Sequence, residues 1–82
     1  TVPALQVDIR FNGSLSFDNF MHLICDELKM PCRLLKLDIV YQGCRCLGEL
    51  QLVLFGTSEA QQIFFARLQQ HNLSYQKQKL VL

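Results

Sequence analysis

The strict alternation of apolar and polar residues near the start of the chain is the feature that most restricts its fold. From Leu5 to Asn12 every odd position is apolar and every even position is polar. Because successive side chains of a β-strand point to opposite faces, this period of two predicts a strand with one buried face and one wet face. An apolar sheet face must pack against another layer. The alternation therefore predicts a sheet that is covered on one side.

Turn-forming residues follow this strand, and the next segment has the pattern of an amphipathic helix. Ser16 stands at the N-cap position, and Asp18 places a negative charge in the first turn, where the helix dipole favours it. Pro31 predicts the end of the helix, because the residue before a proline is driven out of the α region. The apolar residues at helical spacing are Phe17, Phe20, Met21, Ile24 and Leu28.

Two further strands are predicted to form a hairpin. The first, from Leu34 to Tyr41, alternates again, and Gln42-Gly43 is a candidate for the tight turn. The second runs from Arg45 to Phe55. Its apolar face is expected to lie on the same side as that of the first hairpin strand, whose apolar residues are Leu35, Leu37, Ile39 and Tyr41.

A second helix and a last strand complete the predicted elements. Ser58-Glu59-Ala60-Gln61 fits a capping box, and Asn72 is a permissible left-handed stop. A final strand is predicted from Leu73 to Leu82. The inner side of the helix is predicted to carry Ala60, Ile63, Phe64, Arg67 and Leu68.

The order strand, helix, strand, strand, helix, strand predicts an α+β, ferredoxin-like βαββαβ fold, with two helices on one face of a four-stranded antiparallel sheet. The 82 residues suffice for one domain, residues 1–82. So short a domain has a thin stability margin, and exposed apolar area often marks an interface. We therefore expect a second copy to cover the open sheet face, through the residues Leu34, Val40, Leu47, Val53 and Phe55.

Composition argues against several classes of function. Eight Lys and Arg against seven Asp and Glu give a net charge of +1, without the clustered cations that nucleic-acid binding needs. The third strand also lacks aromatic residues where RNA bases would stack. Uncharged runs, such as that from Leu50 to Ser58, are too short to cross a bilayer.

The four cysteines allow three disulfide pairings, but reduced thiols and no structural metal are expected. The chain is rich in aliphatic residues and Phe, whereas secreted scaffolds need bridges because their cores are poor. The spacing of Cys44 and Cys46 also differs from common zinc knuckles. The two histidines, His22 and His71, have no local nucleophilic motif around them, so the domain is expected to be non-catalytic.

The hairpin resembles the most recognisable part of the NIL domain. In that family, an apolar strand ends in Tyr or a similar residue and is followed by a glycine turn. The next strand then begins with an apolar residue and a glycine. The matching residues are Tyr41, Gly43, Leu47 and Gly48. The resemblance extends over essentially the whole chain, with the alternating first strand, the helix from Phe17 to Leu28, Gly56 before the second helix, and the segment from Leu68 to Leu73.

This resemblance implies a dimeric regulatory domain at the C-terminal end of the ATP-binding subunit of a bacterial methionine importer. Such a domain binds L-methionine and, when occupied, inhibits transport. Its implied partners are a second copy, the ATPase domain of the parent protein and the membrane permease subunit. Its implied location is cytoplasmic, peripheral to the inner face of the cell membrane, and no cofactor is implied in this domain. The opening Thr-Val-Pro likewise suggests a piece of a longer protein.

The resemblance also places the ligand pocket at the dimer interface, near the segment that joins the first helix to the second strand. Arg33 is the expected partner of the ligand carboxylate, and apolar neighbours are expected to line a slot for the thioether. The residues of this expected pocket are Met30, Cys32, Arg33, Leu34 and Leu35.

Two alternatives remain open at this point. The first is a structural dimerisation module, possibly fused to an iron–sulfur ferredoxin domain, in which the pocket has no ligand. The second is another amino-acid sensor of the same topology, such as the ACT type, whose glycine-rich turn after the first strand resembles Asn12-Gly13-Ser14 only weakly.

Overall fold

The computed structural model describes residues 4–79 and contains four strands and two helices. The strands form one antiparallel sheet in the order β2-β3-β1-β4. This confirms the predicted α+β, ferredoxin-like fold. The elements are β1 Leu5–Asn12, α1 Phe17–His22 with a π-helical turn at Leu23–Glu27, β2 Cys32–Gln42, β3 Arg45–Leu54, α2 Ser58–Gln70 and β4 Ser74–Lys79.

The core lies between the sheet and the two helices. The odd-numbered residues of β1 face it, as their alternation predicts, and Phe11 packs edge to face on Phe20 of α1 at 5.4 Å between ring centroids. Phe20 in turn contacts Phe64 of α2 at 6.3 Å. Because residues of both helices join one cluster with this face of β1, both helices cover the same side of the sheet.

The first helix begins as predicted but does not remain α-helical. The Ser16 hydroxyl accepts a hydrogen bond from the Asn19 backbone N–H at 3.1 Å, which satisfies a donor that the first turn leaves free. From Leu23 onward the turn widens, and the N–H of Leu28 donates to the carbonyl of Leu23, five residues earlier. Lys29 then takes a left-handed conformation and ends the helix before Pro31.

The second helix begins one residue earlier than predicted, and it is rotated so that Phe64 and Leu68 face the core as predicted but Ile63 does not. Thr57, not Ser58, is the N-cap, and its hydroxyl accepts from the N–H of Ala60. Ile63, predicted to face inward, is 54 % exposed. The buried residues of α2 are Gln61, Phe64, Phe65 and Leu68.

Contacts with β4 explain this rotation of α2. Phe65 stacks on Tyr75 of β4 with ring centroids 4.9 Å apart, and the Lys77 ammonium lies 4.7 Å from the Phe65 ring centroid. These contacts hold Phe65 against the sheet and leave Ile63 outside. Asn72, with a φ of 58°, ends the helix region as predicted. The predicted final strand is found at Ser74–Lys79, and its last residues, 80–82, lie outside the described part of the chain.

Candidate functional site

Strand β2 lies at one edge of the sheet and contains a β-bulge that changes which residues share a face. Leu34 pairs with Leu52 of β3, and the next pair joins Lys36 to Gln51, so that Leu35 is the extra residue. Leu52 is a core residue, and therefore Leu34 lies on the helix side of the sheet. The prediction that Leu34 lies on the open face beside Val40 is wrong. It assumed a regular alternation along the strand, whereas the extra residue of the bulge moves Leu34 to the helix side.

Strand β2 carries large apolar side chains that the rest of the domain covers poorly. Leu34 is 49 % exposed, Leu35 50 %, Leu37 44 % and Tyr41 50 %. The buried core cluster draws its strand residues from β1 and β3, and β2 adds only the partly buried Cys32 and Ile39 at its margin. We call the four exposed residues the β2 edge patch: Leu34, Leu35, Leu37 and Tyr41. Contiguous exposed apolar area of this kind marks a candidate interaction surface.

The open face of the sheet is mainly polar, and the apolar residues predicted for it do not form one continuous surface. Arg10 of β1 pairs with Glu49 of β3 at its centre, as their register positions require. Val40 and Leu47 pair at the hairpin end of this face, whereas Val53 lies at the opposite end and is only 7 % exposed. The fifth predicted interface residue, Phe55, follows the end of β3 and is partly exposed.

Two shallow depressions lie on this polar face. One has a volume of about 280 Å³ and the other about 510 Å³, and Arg10 and Glu49 line both. Neither depression includes any of the residues from the predicted ligand segment. Sequence reasoning missed them because Arg10 and Glu49 are 39 positions apart. Only the pairing of β1 with β3 places these two charges side by side.

The structure does not bring the five predicted ligand residues into one pocket within a single chain. Met30 is buried, and its N–H donates to the Ile24 carbonyl at 2.8 Å. Arg33 pairs with Val53 and so lies on the open face, whereas Leu34 lies on the helix side. Within residues 4–79, the side chain of Arg33 forms no hydrogen bond or ion pair. Its guanidinium is thus an exposed cation on the edge strand.

Tyr41 connects the hairpin to the beginning of α1. Desolvation raises the pKa of Tyr41, and the Cys46 thiol raises it further, while the backbone of Phe17 acts in the opposite direction.

The four cysteines are free and differ in accessibility. Cys25 and Cys44 are exposed, Cys32 is partly buried and Cys46 is buried. Burial raises the pKa of the Cys32 thiol, and the nearby Cys25 raises it further. Since the thiolate is the reactive species, both effects oppose alkylation of Cys32.

We expect iodoacetamide at mildly alkaline pH to modify Cys25 and Cys44 first, Cys32 more slowly, and Cys46 only after unfolding. Mass spectrometry of peptides from a time course measures this order. Labelling in denaturant is the control, because all four thiols should then react at similar rates. Early modification of Cys46 in the native protein would contradict the buried position of its side chain.

The described residues contain neither a metal-binding cluster nor a membrane-spanning helix. In the range 4–79, no group of three or more His, Cys, Asp or Glu side chains has a geometry that could hold a metal ion. His22 pairs with Asp26 one turn later, at 2.7 Å between Nδ1 and Oδ2, on an exposed helix surface. No helix in this range has the length and apolar character needed to span a membrane.

The chain was compared with protein-family models and with curated proteins. No family model matches it, and no curated protein matches it.

Proposed function

We propose that this chain is a regulatory, ligand-sensing domain that acts as a homodimer and is not itself catalytic. The observation that supports this proposal is the β2 edge patch. The rest of the core is closed, with fully buried aromatic residues at its centre, yet four large apolar side chains of β2 are left half exposed. A second copy that covers this patch would stabilise a domain whose small size limits its own core.

The proposed ligand is an amino acid, and the resemblance to the NIL domain favours L-methionine. Arg33 supplies an exposed cation for the ligand carboxylate, and the neighbouring leucines supply apolar surface for a thioether. Because Arg33 and Leu34 lie on opposite faces of β2, a single copy provides only part of such a pocket. The proposed site is therefore completed where two copies meet.

In this proposal, the domain belongs to the ATP-binding subunit of a methionine importer and lies at the cytoplasmic side of the membrane. Its partners are the ATPase domain and the permease. A bound ligand changes transport only if it binds one arrangement of the two subunits more tightly than the other. A pocket shared between two copies has this property, since its affinity depends on how the copies are arranged.

Isothermal titration calorimetry of the dimeric protein tests the ligand. L-methionine should bind to the wild-type protein. Its methyl ester, which lacks the carboxylate charge, should bind at least about tenfold more weakly. L-methionine should show the same loss of affinity for the Arg33→Gln variant. Arg10→Gln is the matched control, because Arg10 is an exposed cation on β1 at the centre of the sheet, away from the edge strand β2. Absence of binding heat with L-methionine and the other amino acids, in a sample shown to be dimeric, would contradict ligand sensing.

The second candidate is a structural dimerisation module, possibly beside an iron–sulfur domain. The observation that favours it is the divergence of the predicted ligand residues: Met30 is buried, and Arg33 and Leu34 point to opposite faces. This candidate predicts a stable dimer that binds none of the tested amino acids. The same calorimetry, together with the oligomeric state, therefore separates the two functions.

A further inference from the structure

The two edge strands of the sheet differ in their capacity to pair with another chain. Over the part of the chain that the structure describes, strand β4 spans Ser74–Lys79, with the sequence Ser-Tyr-Gln-Lys-Gln-Lys and no aliphatic side chain. Natural proteins use short edges and lysines in this way to prevent pairing between sheets. Strand β2 has eleven residues and carries the exposed leucines of the β2 edge patch. It is therefore the edge that is suited to receive another strand.

The hairpin geometry determines which backbone groups of β2 face outward. The two-residue turn closes on the pair Gln42 and Arg45, and hydrogen-bonded pairs alternate with non-hydrogen-bonded pairs along an antiparallel ladder. The N–H and C=O groups of Leu37, Ile39 and Tyr41 consequently point away from β3. The carbonyl of Cys46, which lies opposite Tyr41, accepts instead from the N–H of Gly13 on the β1 side, as this alternation requires.

The charges of β2 are arranged so that the strand is complementary to itself. Lys36 and Asp38 flank Leu37, and both lie on the open face of the sheet, opposite Gln51 and Glu49. We infer that two copies of this chain pair through β2, antiparallel and about a two-fold axis at Leu37, to form a continuous eight-stranded sheet. This inference rests on the homodimer of the proposed function and adds its surface and register.

In this register, Lys36 of each copy lies opposite Asp38 of the other, so the dimer contains two cross-strand pairs of opposite charge. The outward N–H and C=O groups of Leu37 meet those of the second copy's Leu37. The pairing therefore satisfies backbone groups at the edge and places aliphatic side chains of the β2 edge patch beside one another.

Neighbouring registers lack this complementarity. A two-fold axis at Lys36 places the two copies of Lys36 opposite each other, and an axis at Asp38 places the two copies of Asp38 opposite each other. Like charges directly opposite are destabilising. An axis at Ile39 sets Asp38 against Val40 and Lys36 against Gln42, without a charge pair. The axis at Leu37 is thus the one that the charges select.

A charge exchange tests the register. Lys36→Asp and Asp38→Lys each replace the two attractive pairs by two repulsive ones, so each should weaken association roughly tenfold or more. The double variant, Lys36→Asp with Asp38→Lys, restores opposite charges and should associate within about threefold of the wild type. Sedimentation equilibrium at low salt measures the dissociation constants. Because Lys36 and Asp38 are both exposed, each variant is expected to fold, and circular dichroism verifies this.

Cysteine cross-linking provides a second measurement that does not depend on the charges. In a Cys25→Ser, Cys44→Ser background, Leu37→Cys should form a disulfide-linked dimer on mild oxidation, because Cα atoms of a hydrogen-bonded pair lie about 5.5 Å apart. Val40→Cys is the matched control: its side chain is also exposed, but its two copies would lie about 20 Å apart.

The inference would be overturned if the protein is monomeric at all concentrations or if the single variants associate like the wild type. It would also be overturned if the double variant is not rescued, or if cross-linking is faster at Val40 than at Leu37. Calorimetry does not enter this test. A dimer with the expected register that binds no amino acid would refute ligand sensing alone, and ligand binding without charge rescue would refute the register alone.

Discussion

Replacement of Gly48 by alanine is expected to lower the free energy of unfolding by about 2–5 kcal/mol, as the sum of backbone strain and overpacking. Gly48 has a φ of 135°, a backbone conformation that residues with a side chain rarely adopt. A Cβ atom at this position would lie 2.0 Å from the Asp38 carbonyl oxygen and 2.9 Å from the Ile39 Cα. Both atoms belong to the backbone of β2, so the clash is relieved only if the hairpin strands separate.

Gly43→Ala is the matched control for this substitution. Gly43 lies in the turn of the same hairpin and also has a positive φ, 62°, but a Cβ there would have no heavy atom within 4 Å. Gly43→Ala should therefore lower the free energy of unfolding only by the strain of a left-handed backbone conformation, about 1 kcal/mol. Urea unfolding, monitored by far-UV circular dichroism, measures both variants. Equal losses at the two positions would show that backbone conformation, and not the contact with β2, makes Gly48 necessary.

Replacement of Phe64 by alanine is expected to cost about 3–5 kcal/mol of stability, as large-to-small changes of buried aromatic residues do. Phe64 is fully buried, and its ring contacts Phe20 of α1 and Phe65 of α2. A domain of this length has a total stability of only about 4–12 kcal/mol. The variant should therefore be partly unfolded at moderate temperature, as thermal melting will show.

Ile63→Ala, one residue earlier in the same helix, separates the observed rotation of α2 from the predicted one. Because Ile63 is exposed, this change should shift stability by less than about 0.5 kcal/mol. The same melting experiments measure it. A loss comparable to that of Phe64→Ala would mean that Ile63 faces the core, as its position in the sequence pattern predicts.

Local patterns were sufficient to predict most elements of the fold. The alternation of β1, the N-cap at Ser16 and the stop at Asn72 all depend on residues within a few positions, and all are confirmed. The rotation of α2 was not predictable in this way. It depends on the stacking of Phe65 on Tyr75, two residues of different elements, whose meeting requires the folded sheet.

The candidate site was predicted less well than the fold, for the same reason. The segment from Met30 to Leu35 was predicted to join α1 to β2 and to line one pocket, but β2 already begins at Cys32. The bulge at Leu35 and the register with β3 separate Arg33 from Leu34. The polar depressions around Arg10 and Glu49 also depend on strand pairing, which a period of two does not specify.

By itself, the amino-acid sequence determined the succession of strands and helices and the polar or apolar character of each face. These features follow from the backbone geometry of strands and helices and from the spacing of apolar and charged residues over a few positions. Only the tertiary structure decided which edge strand remains uncovered and which charges stand side by side. Those features are set by contacts between distant segments: the bulge opposite Leu52, the placement of the helices over β1 and β3, and the exposure of β2 that results.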